Sequence, residues 1–164
     1  MKQSAMKSKQ ALAAGGLALA AASVQAGSAS STFDVTATVL DTCAISAANL
    51  AFGTYAGAVL DSTTTITVAC TNLTVYTVEI DAGAGSGATT SVRRMTGPSS
   101  ALLNYALYQD AARLLVWGTV GALQSVAGIG NGASQSLTVY GRVPSGQSPE
   151  AGAYTDTVTV TVNY

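Results

Sequence analysis

Apolar residues recur at every second position along most of this chain, with Thr, Ser or a charged residue between them. Phe33, Val35, Ala37 and Val39 form the first such run; Ile66, Val68 and Cys70 the second; Tyr76, Val78 and Ile80 the third. Leu103, Tyr105 and Leu107 follow, and Val158, Val160, Val162 and Tyr164 bring the same rhythm to the last residue. A period of two sends alternate side chains to opposite faces of an extended backbone, so each run predicts a strand with one buried face. Beyond the first 26 residues, helical spacing is not sustained anywhere. The stretches "DAGAGSGATTS", "TGPSS", "GIGNGASQS" and "VPSGQSPEAGAY" lie between the runs, and their Gly, Ser and Pro content marks turns. About seven to nine short strands result, with no helical crossover to join parallel neighbours. The pattern predicts an all-β fold, an antiparallel β-sandwich in one domain, with no internal repeat.

The first residues follow a different rule. Lys2, Lys7 and Lys9 precede the uncharged run "ALAAGGLALAAASV", and Val24-Gln25-Ala26 then places small residues where a signal peptidase cuts. This predicts a secretory signal over residues 1–26, with an apolar run shorter than the roughly 20 residues a membrane helix needs. No stop-transfer segment follows, so no transmembrane segment is expected after cleavage. The remaining 138 residues suit a single domain. All three lysines leave with the signal, so Arg93, Arg94, Arg113 and Arg142 face eight carboxylates. That acidic balance argues against nucleic acid as a partner.

Both cysteines, Cys43 and Cys70, lie in the exported part. An even count in an oxidising compartment favours one disulfide, with two buried free thiols as the alternative. Closing that loop would stabilise the fold by roughly 3 to 4 kcal/mol in the chain-entropy model. The chain has no histidine. It therefore lacks a Ser-His-Asp or Cys-His arrangement, and two thiolates alone do not complete a metal shell, so no metal or other cofactor is expected. Its carboxylates are expected at turns or on outward strand positions, which speaks against a glycosidase pair. Gly83 to Gly87 and Gly128 to Gly132 open no helix and read as flexible hairpin loops, not phosphate loops. Asn72-Leu73-Thr74 matches a glycosylation sequon, a pattern too common to assign a role. Arg93 and Arg94 read as a solvated pair or surface ion-pair donors. Trp117, with Tyr105, Tyr108, Tyr140 and Tyr154, reads as core and rim in preference to a sugar platform. None of this points to an enzyme.

Taken in order, the cysteine after the first run, then "LAFGTY" (residues 50–55), "ITVACT" (66–71), "VRRM" (92–95), "LLNYALYQD" (102–110), "VWG" (116–118), "LTVYGRVPSGQ" (137–147) and "GAYTDTVTVTVNY" (152–164), resemble the spore coat protein U-like family. That family includes subunits of archaic chaperone-usher pili, and the resemblance covers essentially the whole chain after the signal. It implies a pilin with an incomplete immunoglobulin-like sandwich that lacks its final strand. A periplasmic chaperone would fill the gap first, and an outer-membrane usher would then exchange it for the amino-terminal strand of another copy or a related pilin. Carried over, residues 27–42 hold the donor strand, with Phe33, Val35, Ala37 and Val39 facing in, and residues 43–164 form the sandwich. Val158, Val160, Val162 and Tyr164 would edge the acceptor groove, and Cys43 and Cys70 would form the family's disulfide. The expected product is a structural subunit of a surface fibre, placed in the shaft or as an adaptor, with a role in adhesion or biofilm. The alternatives are a monomeric spore-coat or matrix protein of the same fold and a small carbohydrate-binding sandwich.

Overall fold

In a computed structural model that describes residues 25–119 and 124–164, the alternating run from Phe33 to Val39 forms no strand and has no buried face, contrary to the expectation from its period, while the later runs fall wholly or in part within eight strands. These are β1 (Cys43–Ala47), β2 (Leu60–Cys70), β3 (Val75–Ile80), β4 (Arg93–Thr96), β5 (Leu102–Tyr108), β6 (Val126–Ile129), β7 (Ser134–Val143) and β8 (Val160–Asn163). A single 3-10 turn, Pro98–Ser100, joins β4 to β5, and no α-helix occurs among the described residues. The signal segment expected over residues 1–26 lies outside the described residues except for its last two positions.

All pairings are antiparallel. A five-stranded sheet has the order β1-β2-β7-β5-β4 and a three-stranded sheet the order β6-β3-β8. The long β2 is the spine of the larger sheet. Its second half pairs with β1 from Cys43↔Cys70 to Ala47↔Ile66, while Leu60 to Ala69 pair with β7. Thr63, Thr64 and Thr65 fill its middle, and β-branched residues suit this pleated, half-buried surface. The two sheets face each other and bury Ile66 and Val68 from β2, Val78 and Ile80 from β3, Leu107 from β5 and Val139 from β7. Trp117 is 1% exposed and donates its indole N–H to Val78 O at 2.9 Å, so it is core and offers no surface platform to a sugar. The fold is the antiparallel sandwich that the alternation predicts, of the immunoglobulin-like kind that the family resemblance implies.

Two loop expectations need correction. Gly128 and Ile129 belong to β6, where the missing Cβ of Gly128 lets the Tyr76 ring lie against the strand. Residues 81–92 form no hairpin; they cross from β3 in one sheet to β4 in the other. The cause in both cases is packing: Gly is used here for close approach as well as for turning.

Cys43 and Cys70 are disulfide-bonded and sit directly opposite each other in the β1–β2 register. Residues 25–37 belong to a unit separate from the one that begins at Thr38. Residues 25–42 are in no strand.

Candidate functional site

The ladder between β1 and β2 gives out after Ala47, and the chain that follows is held to β2 mainly by side-chain hydroxyls. Thr64 Oγ1 donates to Ala48 O at 2.8 Å and Ser62 Oγ to Ala51 O at 2.7 Å. This keeps residues 47–52 along one side of an open groove of about 580 Å³. Leu50 and Phe52 reach inward from that wall because Gly141 of β7 has no Cβ; one added there would stand 2.7 Å from Leu50 Cδ2 and 2.8 Å from Phe52 Cζ. Phe52 meets the Tyr105 ring edge-on, centroids 6.0 Å apart.

Residues 154–158 and Val160 form the other wall. The floor is the core itself, Ile66, Ile80, Leu107 and Val139. A sandwich with a groove that reaches its own core has left apolar surface uncovered, which costs stability in proportion to area. The neighbouring edge is open too: β8 pairs with β3 on one side and, among the described residues, has no ladder partner on the other. Unpaired strand edges of this kind template the addition of another strand.

Three polar devices fix the second wall. Thr155 exchanges backbone hydrogen bonds with Thr96, N···O 2.8 and 3.1 Å. The Asp156 carboxylate accepts from Tyr105 Oη at 2.7 Å and from the N–H groups of Ala84 and Thr157, both at 2.8 Å. Asp81 Oδ1 accepts from Gly83 N and Thr159 N, each at 2.9 Å. Burial pushes the Tyr105 hydroxyl well above its ordinary pKa, and the Asp156 carboxylate adds to the shift. For Asp81, burial works upward, but hydrogen bonds from Thr159 and Gly83, together with the Arg93 charge, outweigh it and hold the carboxyl below its usual range.

Arg93 overturns the expectation of a solvated cation. It is fully buried, and its guanidinium donates to four carbonyls: Asp81 O at 2.8 Å, Thr90 O at 2.8 Å, Ile80 O at 2.9 Å and Trp117 O at 2.7 Å. Burial lowers its pKa, with Tyr105, Asp81 and Asp156 opposing that effect. The side chain knots the end of β3, the crossing loop and the Trp117 segment behind the groove wall. The signal was present in the sequence: Arg93 is in phase with Met95, which packs against the core. Its neighbour Arg94 is itself half-buried: Nη1 donates to Ser86 O at 2.9 Å, while Nε is buried and finds no partner among the described residues.

The structure places the sequence-derived site residues unevenly. Val158 and Val160 line the groove; Val162 packs against the core beside it, and Tyr164 is 62% exposed. Sequence reasoning missed residues 154–157, because Tyr, Thr, Asp and Thr do not read as an apolar wall. Phe33, Val35 and Val39 are more than four-fifths exposed, and Ala37 is exposed as well. Four apolar side chains in strand phase thus have no packing of their own.

Comparison with known proteins gives concordant results. The model of the Spore Coat Protein U domain family matches residues 29–161. Protein U of Myxococcus xanthus is 35% identical over 128 residues, 70% of this chain and 71% of the relative. Among solved structures, a chain of the CsuC–CsuE chaperone–tip adhesion subunit pre-assembly complex, from the archaic chaperone-usher Csu pili of Acinetobacter baumannii, superposes with a TM-score of 0.58 at 27% identity. The match covers 77% of this chain and 40% of that one, so the present chain spans well under half of the solved chain's length.

Proposed function

The chain belongs to the Spore Coat Protein U domain family, and from that premise we propose that it is a structural, non-catalytic subunit of a secreted surface fibre that polymerises by strand exchange. Residues 1–26 direct export to the periplasm and are removed. Residues 27–42 carry the donor strand and residues 43–164 the acceptor sandwich. Phe33, Val35, Ala37 and Val39 of one copy enter the groove of the next, beside residues 154–160. The observation that supports this most strongly is the groove open to Ile66, Ile80, Leu107 and Val139, in a chain whose own leading run leaves large apolar residues exposed.

The dimensions agree. Seven residues of extended strand span about 23 Å, and the groove wall from 154 to 160 has the same number of residues. Burying Phe33, Val35 and Val39 stabilises the assembly by roughly 1.5 to 3 kcal/mol each, with less from Ala37 and more from the new backbone hydrogen bonds. Before assembly the exposed core and sheet edge invite aggregation. A periplasmic chaperone covering them, and an outer-membrane usher directing exchange, follow from that need; the chaperone–subunit complex among the structural matches supports the first. The fibre serves in surface adhesion.

A second reading has support of its own. The similarity to Protein U and the description of the family favour a coat layer built from the same module. Deleting residues 28–39 and following export with the chaperone co-expressed separates the two. The fibre reading expects soluble chaperone complexes to persist while fibres vanish. A coat monomer that pairs its leading strand within its own sheet would instead lose its fold even with the chaperone present.

A further inference from the structure

We infer that the donor arm is clamped at its base, so that Leu40 alone links a subunit to the neighbour holding its arm, and that this neighbour packs against the pole that carries the clamp. The inference rests on the fibre reading above and names a second contact between copies, separate from the exchanged strand.

The clamp is a directed chain of hydrogen bonds. Thr42 N donates to Thr71 Oγ1 at 3.2 Å, Thr71 Oγ1 lies 2.6 Å from Thr74 Oγ1, and Thr74 Oγ1 donates to Asp41 Oδ1 at 2.9 Å. A carboxylate only accepts and each hydroxyl has one proton, so the Thr71 hydroxyl must donate to Thr74. Successive donors aligned this way strengthen one another. Thr71 N returns a bond to Thr42 O at 3.0 Å, and Cys43 is already tied to Cys70. Thr74, at the centre, is 4% exposed. Three consecutive residues, 41 to 43, are therefore fixed to the sandwich, whereas Leu40 and Val39 are 72% and 86% exposed.

Two residues of chain reach at most about 7 Å. A copy that buries Val39 must then come up against the pole around Asp41. That pole holds a shallow depression lined by Asp41, Ala69, Cys70, Thr71, Asn72 and Gly132, with Val39 over it only while the arm is not exchanged. Beside it stands Leu73, 76% exposed and in the left-handed region at φ 68°. Leucine seldom adopts that backbone, and an outward leucine gains nothing in an isolated chain. Covered by the neighbour, Leu73 and Leu40 both acquire a partner.

The test uses the full chain, with chaperone and usher co-expressed, and electron micrographs of the fibres. Inserting Gly-Ser-Gly-Ser between Leu40 and Asp41 leaves every clamp residue intact but frees the joint, and the persistence length should fall at least about twofold. Asp41→Ala should soften the fibre in the same direction, while Asp41→Asn, which keeps the accepting oxygen, should stay close to the wild type. The clamp is overturned if wild-type fibres form and the insertion leaves their stiffness unchanged, or if Asp41→Asn softens them as much as Asp41→Ala. A folded, exported wild-type chain that makes no fibre removes the underlying reading instead. If Asp41→Ala fails to fold, the insertion decides alone.

Discussion

Arg93 shows how a residue's surroundings, more than its type, decide its role. A guanidinium presents five donors in a rigid fork, and here the fork is spent on carbonyls that no strand uses. Arg93→Met keeps the stem but orphans several buried carbonyls, and Arg93→Lys cannot span them. Either change is expected to cost about 3 to 5 kcal/mol, read from the denaturation midpoint of the purified chain. A surface reading of the arginine would expect under 1 kcal/mol. The titratable groups around the wall set a pH window. The carboxyl of Asp81 is depressed in the folded state, so its contribution is complete above the unfolded pKa near 4 and is lost as pH falls through the folded value. Tyr105 is raised, so its contribution is complete below about pH 10 and declines above it. Stability measured against pH should be flat between those limits, and Asp81→Asn should flatten the acid arm.

At the scale of elements, the wall of residues 47–52 depends on an absence in β7. Gly141→Ala is expected to push Leu50 and Phe52 outward and destabilise the chain by about 1 to 3 kcal/mol, as overpacking does. Chaperone capture, measured by co-purification, should weaken as well because the groove is reshaped. The Cys43–Cys70 bond closes a loop 27 positions long, and Cys43→Ser with Cys70→Ser should cost about 2 to 4 kcal/mol. Several strands were legible because period-two alternation is a local signal: β3 and β5 begin within one residue of the Tyr76 and Leu103 runs, whereas the run from Ile66 marks only the second half of β2, which begins at Leu60. Residues 154–157 were illegible because what makes them a wall is long-range, the Thr96 backbone and the Tyr105 hydroxyl. Arg93 was misread for the same reason: its four carbonyl partners come from residues 3 to 24 positions away. The β6 assignment failed because Gly128 was counted as a turn residue when its use is to admit the Tyr76 ring.

For the whole molecule, one arrangement accounts for three features that otherwise have no connection. The leading run is apolar and exposed, the sandwich is open along one side, and the edge beside the opening has no strand paired to it among the described residues. Each is a liability in an isolated chain, since exposed apolar surface and free strand edges promote association. In the proposed fibre they are complementary between copies, and because donor and acceptor are different surfaces, such a contact would run head-to-tail and propagate as a filament. The opening question for such a chain is therefore what fills the groove. A high-resolution electron cryomicroscopy reconstruction of the assembled material answers it directly. The account predicts continuous density for residues 33–39 lying beside residues 154–160 of a different copy, with Phe33, Val35 and Val39 pointing into its core. Density showing those residues paired within their own molecule, or a groove left unfilled in the assembly, would contradict it.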